Sequence, residues 1–64
     1  MKFIALRREM AGTGITQKQL AKLIGLGEKS MSFKMTGKRE FLRSEMLNIC
    51  KVFGKTLSEL FSEE

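Results

Sequence analysis

Two short segments joined by a turn that begins with a glycine constrain the fold of this chain more than any other feature. The first segment, 16–24, begins with Thr16 and has Gln19 three residues later, a pair whose side chains can satisfy two free N–H groups at the start of a helix. Gly25 comes next, and glycine is favoured where a helix ends in a left-handed conformation. A second helix is predicted over about 28–36. The sequence therefore predicts two short helices separated by a sharp turn.

The apolar residues of these segments recur at helical spacing, as expected where two helices pack against each other. They are Leu20, Ala21, Ile24, Met31 and Met35. Two short helices joined by a glycine turn form a helix-turn-helix, a motif whose second helix can enter the major groove of DNA. The helix-turn-helix is predicted over 16–37.

Two or three further helices are predicted around this pair. The first is expected over about 2–11 and is ended by the Gly-Thr-Gly segment 12–14, and the fourth is expected over about 44–53. A second capping pair, Thr56 and Glu59, opens a short fifth helix. The sequence therefore predicts an all-α bundle of four to five short helices, folded as a single domain, 1–64.

The composition excludes several classes of function. The chain has no histidine, and Cys50 is its one cysteine, so we expect no metal site, no cofactor and no Ser/His/Asp or Cys/His catalysis. No apolar run approaches the roughly 18 residues of a membrane span. The first ten residues mix charged with apolar side chains, unlike a signal peptide. We therefore expect a cytoplasmic protein that is not an enzyme and has no small-molecule ligand, with Cys50 in its core.

The positive charge is concentrated around the two central helices. The formal net charge of the whole chain is +5. Between 16 and 43 the cations are Lys18, Lys22, Lys29, Lys34, Lys38, Arg39 and Arg43, against the acidic residues Glu28 and Glu40. Such a basic segment is typical of a protein that binds a polyanion. The alternative is that these lysines only solvate exposed helix faces.

A longer pattern of residues extends over most of the chain. Its parts are Ile15-Thr16-Gln17, Leu20-Ala21, Ile24-Gly25, Met31-Ser32, Lys34 to Lys38, Phe41, Ser44-Glu45-Met46 and Leu57-x-Glu59-Leu60-Phe61. This pattern resembles the Cro/cI (XRE-type) helix-turn-helix family of phage and prophage regulators. The resemblance implies a λ-repressor-like bundle whose partner is a double-stranded DNA operator.

The resemblance also implies roles for individual residues. The base edges would be read by the first exposed residues of helix 3, which are Glu28, Lys29, Ser32 and Phe33. Gln17 would contact a phosphate and brace helix 3, and Lys38 would hold a backbone phosphate. Position and charge add Arg39 and Arg43. The remaining predicted phosphate contacts are Lys18, Lys34 and Thr36.

Three features depart from what is usual in that family. Glu28 and Lys29 stand where Arg or Gln is frequent, although Lys can reach guanine O6 and N7 and Glu can accept from cytosine N4. Glu28 would also repel phosphate. Phe33 stands where a polar residue is usual, and its ring either contacts thymine methyl groups or packs against the loop after helix 3. Met10 and Met35 would replace, by an apolar contact, an Arg–Glu pair that joins helix 1 to the end of helix 3 in some relatives.

The predicted function is that of a sequence-specific DNA-binding repressor. Helix 3 would enter the major groove of an operator and so exclude polymerase from a promoter. The length of the chain favours a short Cro-like protein over a full-length cI-like repressor. The alternative is a protein-binding regulator that pairs with another repressor, for which an exposed Phe33 would serve.

A homodimer is expected, formed either in solution or only on DNA. Two modules read twice the sequence of one, with half-sites about 34–36 Å apart. The candidate contact residues lie near helices 4 and 5 and are Lys55, Leu57 and Phe61. The alternative is that Leu57 and Phe61 belong to the core.

Overall fold

The computed structural model describes residues 3–61. This part of the chain forms five α-helices and no strand: α1 Ile4–Thr13, α2 Gln17–Ile24, α3 Glu28–Thr36, α4 Arg43–Phe53 and α5 Leu57–Phe61. The predicted all-α bundle of short helices is therefore confirmed. The predicted first residue of helix 1, Lys2, lies outside the described residues. None of the helices within 3–61 is both long enough and apolar enough to cross a bilayer.

α1 ends later than the sequence predicts, because Gly12 and Thr13 of the Gly-Thr-Gly segment are helical. The Thr13 hydroxyl donates to the main-chain oxygens of Glu9 at 3.0 Å and Met10 at 3.3 Å. Gly14 then closes the helix with a φ of 81°. One glycine inside a helix costs about 1 kcal/mol relative to alanine, which is too little to end a helix that packing holds in place.

The core lies where the four longer helices and α5 meet. Its buried apolar residues are Leu6, Met10, Leu20, Ala21, Met31, Met35, Phe41, Ile49, Cys50 and Leu60. The prediction that Cys50 belongs to the core is confirmed, and burial, together with the nearby charge of Glu59, raises the pKa of its thiol. Met10 and Met35 both belong to this core, as the predicted apolar link between α1 and α3 requires.

Three phenylalanines close one end of the bundle. The ring of Phe3 lies 5.2 Å from that of Phe41 and 5.8 Å from that of Phe61, measured between centroids, and the Phe41 and Phe61 rings are also 5.8 Å apart. All three pairs meet edge to face, the arrangement that aromatic quadrupoles favour. This cluster joins the residue before α1 to the loop before α4 and to the last turn of α5.

Candidate nucleic-acid interface

α2 and α3 form the helix-turn-helix that the glycine pattern predicts. At the start of α2, Gln19 N–H donates to Thr16 Oγ1 at 3.1 Å and Thr16 N–H donates to Gln19 Oε1 at 2.9 Å. The predicted capping box is therefore present. Gly25 has a φ of 80°, a conformation that residues with a Cβ rarely adopt, and Leu26 N–H bonds back to Ala21 O at 2.8 Å. These bonds fix the angle at which α3 leaves the turn.

An open groove lies between the first turns of α2 and α3. It is lined by Thr16, Gln17 and Lys18 from the start of α2 and by Glu28, Lys29, Ser32 and Phe33 from α3. All four residues predicted to read bases therefore lie beside two of the residues predicted to hold phosphate. The groove offers a cation, a carboxylate, a hydroxyl and an amide within one concave surface. These are the groups that can hydrogen-bond base edges and phosphates.

An ion pair joins the two sides of this groove. Lys18 Nζ lies 3.5 Å from Glu28 Oε2, and the two side chains are 79% and 61% exposed. Exposed pairs of this kind contribute about 0–1 kcal/mol to stability, so the contact is easily exchanged for another partner. In the free protein, Glu28 therefore offsets the charge of one predicted phosphate-binding residue.

The turn after α3 brings two cations over one aromatic ring. Gly37 has a φ of 89°, and the N–H groups of Lys38 and Arg39 both donate to Phe33 O, at 2.9 and 3.2 Å. The Lys38 Nζ lies 5.6 Å and the Arg39 Cζ 5.3 Å from the centroid of the Phe33 ring. Both distances fall within the roughly 6 Å range of cation–π contacts. Of the two alternatives for Phe33, the structure therefore has the ring packed against the residues after α3, on the border of the groove.

Lys34 does not lie at the surface, and the prediction that it contacts phosphate is wrong. The residue is only 8% exposed, and its Nζ donates to Glu45 Oε1 at 2.6 Å. Lys34 follows Met31 by three positions and precedes Met35 by one, so it lies on the side of α3 that faces the core. Its ammonium group neutralises a carboxylate of α4 and is unavailable to DNA.

The carboxylate of Glu45 has two partners in this buried contact. Its Oε1 also accepts from the N–H of Leu42 at 2.8 Å, a free donor at the start of α4. Burial alone would raise the pKa of Glu45, but the hydrogen bonds from Lys34 and Leu42 and the Lys34 charge outweigh it and lower that pKa. The pair thus caps α4 and ties it to α3 at once.

Arg7 also holds the last turn of α3, a contact that the sequence pattern does not predict. Its Nη2 donates to the main-chain oxygen of Met35 at 2.9 Å. Because the last carbonyl groups of a helix have no partner within the helix, a guanidinium group there is favourable. The sequence feature that indicates such a contact is a cation in the apolar stripe of α1, directly after Leu6. It does not indicate which carbonyl group is bound.

The other predicted phosphate contacts differ in how available they are. Lys38, Arg39 and Arg43 are exposed, and Gln17 is half-buried in the first turn of α2. The Thr36 hydroxyl donates within its own helix, to Ser32 O at 3.0 Å and Phe33 O at 3.1 Å. Thr36 would have to give up these bonds in order to donate to a phosphate.

The predicted dimer residues do not form one surface. Lys55 and Leu57 line a shallow apolar groove between α4 and α5, beside Leu47, which is 42% exposed. Phe61 instead packs on Phe3 and Phe41. The alternative that assigns Leu57 and Phe61 to the core fits both residues, because each is half-buried and packs against it, whereas Lys55 is exposed.

Residues 3–61 contain no group of three or more His, Cys, Asp or Glu side chains that could hold a metal ion.

Comparison with known proteins identifies the kind of domain. A family model of the Cro/C1-type HTH DNA-binding domain matches residues 5–63. A comparison with curated proteins gave no significant match, and neither did a comparison with solved structures. The family match includes the whole of the groove between α2 and α3 and extends over nearly the entire chain. The chain therefore belongs to the Cro/C1-type HTH DNA-binding domain family.

Proposed function

We propose that this DNA-binding protein is a Cro-like transcriptional repressor that recognises a specific operator by inserting α3 into the major groove. The observation that supports this most directly is the groove between α2 and α3. Glu28, Lys29 and Ser32 project into it from the first turns of α3. The first turns of a recognition helix are the part that contacts base edges.

Two of these side chains each suit a particular base. Lys29 can donate to guanine O6 and N7, and Glu28 can accept from cytosine N4. Ser32 can donate or accept, so it discriminates less. One well-placed contact of this kind is worth about 1–3 kcal/mol against the wrong base.

The phosphates on either side of the major groove would be held from both ends of α3. At one end, Gln17 and Lys18 lie in the first turn of α2, where the helix dipole favours an anion. At the other end, Lys38 and Arg39 follow α3, and Arg43 begins α4. Repression would follow because a protein bound over a promoter excludes polymerase. The proposed protein would act on DNA in the cytoplasm.

We propose that two copies bind one operator, with Leu57 and Lys55 at the contact between them. The accessible apolar surface beside Leu47 supports this assignment. One module buries only about 600–1,000 Å² of protein surface on DNA. A second copy would therefore increase the affinity and also lengthen the DNA sequence that is recognised.

The alternative function is a protein-binding regulator that pairs with another repressor. Its support is the same apolar groove between α4 and α5, because a different chain can cover it as well as a second copy can. A salt titration separates the two functions. The logarithm of DNA affinity falls with the logarithm of salt by about 0.9 per neutralised phosphate, whereas a mainly apolar protein contact shows little slope.

The experiment that tests the proposal is a selection of random duplex DNA by the purified protein, with sequencing of the bound pool. Enrichment of an inverted repeat is expected, with half-site centres about 34–36 Å apart or a multiple of that distance. Enrichment of a single half-site would refute the dimer but support specific recognition. Weak, salt-sensitive binding without enrichment would refute specific recognition and favour the protein-binding alternative.

A further inference from the structure

We propose that Phe33 positions two phosphate-binding cations, Lys38 and Arg39, rather than reading a base. The proposal rests on the DNA-binding mode proposed above. Phe33 would contribute to that mode without contacting the nucleic acid itself, because its ring holds both cations at the border of the groove before DNA binds.

The main chain supplies the first step. Gly37 turns the chain in the left-handed conformation, with a φ of 89°, and so allows the two following N–H groups to point back at α3. Both of them donate to the same carbonyl oxygen, that of Phe33, at 2.9 Å for Lys38 and 3.2 Å for Arg39. These two hydrogen bonds hold the main chain of Lys38 and Arg39 next to Phe33, and the side chains of both residues then approach the Phe33 ring.

The side chains supply the second step. The two cationic groups lie 5.6 and 5.3 Å from one ring centroid, although they repel each other and are exposed to water. The negative face of the ring quadrupole favours a cation at this distance. Long, flexible side chains lose rotamer freedom when they hold a phosphate. Because the ring already holds both side chains in the free protein, part of this rotamer entropy is lost before DNA binds, and the cost of binding is lower.

The location of the ring supplies the third step. Phe33 is half-buried and lines the same groove as Lys29 and Ser32, but it lies a full turn further along α3 than Glu28 does. A residue that follows the C-terminal end of a helix lying in the major groove is near the phosphates that border that groove. In the free protein cations already lie over the ring, so the ring would have to give up these contacts in order to pack on a thymine methyl group.

A substitution series with a matched aromatic control tests the proposal. Phe33→Leu keeps an apolar side chain but removes the ring, whereas Phe33→Tyr keeps the ring. Phe33→Leu is expected to weaken binding to all duplex sequences alike, by about 3- to 10-fold, and to reduce the salt slope. Phe33→Tyr is expected to retain wild-type affinity and slope. Arg8→Ala, which removes an exposed cation of α1 outside the groove, controls for a general loss of charge.

A double-mutant cycle shows whether the ring acts through the cations. In a Lys38→Ala/Arg39→Ala background, Phe33→Leu should have almost no further effect on affinity, because nothing is left for the ring to position. An undiminished effect in that background would overturn the proposal. So would a loss confined to one base pair of the operator, which would mean that the ring contacts a base directly.

A measurement on the free protein keeps this test independent of the proposed function. In NMR spectra without DNA, protons next to the Lys38 ammonium and the Arg39 guanidinium group should show ring-current shifts that Phe33→Leu removes and Phe33→Tyr retains. Unshifted protons in the wild type would overturn the positioning role. If those shifts are present but no duplex sequence is enriched by selection, the proposed specific recognition fails while the positioning of the cations stands.

Discussion

At the scale of single residues, the buried contact between Lys34 and Glu45 makes stability depend on the presence of both partners. Each side chain is 11% exposed, and the two charged atoms are 2.6 Å apart. Two charges so far removed from water are tolerable only because each compensates the other. The consequence is that either residue alone is a liability, although the pair as a whole is stable.

Lys34→Met should lower the free energy of unfolding at neutral pH by about 3 kcal/mol, because it leaves the Glu45 carboxylate buried without its cation. The double variant Lys34→Met/Glu45→Gln should recover most of that loss, since the glutamine oxygen can still accept from Leu42. Urea denaturation of the three proteins measures both effects. A stable Lys34→Met variant whose DNA salt slope falls by about one would instead return Lys34 to the phosphate contacts.

The same pair should make stability depend on acid pH. The pKa of Glu45 is lowered in the folded protein, so its contribution is fully present above the ordinary value of about 4.5 that the unfolded chain has. That contribution is lost as the pH falls through the folded pKa, because the unfolded chain then binds the proton more readily. Wild type should therefore lose more stability than Glu45→Gln in urea titrations carried out from pH 6 to pH 3. Equal losses in both proteins would contradict this prediction.

Lys29 and Lys38 should give opposite signatures, although both are exposed lysines at the ends of one helix. Lys29→Ala should relax preference at one base position, at a cost of about 1–3 kcal/mol there. Lys38→Ala should weaken binding to every sequence and reduce the salt slope by about one. Affinity measurements on the selected operator and on its point variants, at several salt concentrations, distinguish the two. An equal loss on all sequences for Lys29→Ala would move it to the phosphate contacts.

At the scale of helices, α3 is held by its three neighbours. The Arg7 side chain of α1 binds the last turn of α3, the Lys34–Glu45 pair fastens it to α4, and the Lys18–Glu28 pair joins it to α2. Two of these contacts are sheltered, and the third is exposed. The exposed contact is therefore the one that DNA can rearrange without disturbing the bundle.

Glu28→Gln should test that exchange. Freeing Lys18 is expected to increase affinity for unrelated duplexes and to steepen the salt slope by about 0.9, while preference at one position of the operator falls. The combined variant Lys18→Ala/Glu28→Gln is the matched control, and it should lose the steeper slope. If Glu28→Gln leaves unrelated duplexes unaffected, the ion pair does not restrain binding.

Sequence patterns predicted the helices well because their signals are local. The Thr-x-x-Gln pair at Thr16 and the glycine at Gly25 act within one or two turns of the chain, and α2 and α3 follow them closely. The sequence prediction places Lys34 at the surface because lysine is charged, although its position next to Met35 puts it on the buried side of α3. The contact of Arg7 has no local sequence signal that names its partner, because that partner is a carbonyl 28 residues away. Contacts between helices depend on rotation and spacing that no local signal specifies.

At the scale of the whole molecule, the dimensions of the bundle limit how much DNA one copy can read. Residues 3–61 extend over about 24 × 23 × 21 Å. Half-sites one helical turn apart are about 34–36 Å from centre to centre, so a single copy cannot contact both. Recognition of an inverted repeat therefore requires a second copy beside the first.

Leu47→Gln should separate the contact between copies from the contact with DNA. We expect it to reduce cooperative binding to a duplex with two half-sites, while affinity for one half-site stays unchanged. Leu23→Gln, which alters a leucine of α2 that is 60% exposed, is the matched control and should leave cooperativity intact. Gel-shift titrations of one-site and two-site duplexes measure both quantities. Unchanged cooperativity in Leu47→Gln would place the contact elsewhere.

The phenylalanine cluster has a consequence for protein engineering. Because the rings of Phe3 and Phe61 lie 5.8 Å apart, the two ends of the described segment emerge at the same pole of the bundle. A segment with adjacent ends can be inserted into a surface loop of a host protein without separating the two ends of that loop. The domain should therefore fold as an insert, and in such a chimera the host would set the distance between two DNA-binding modules.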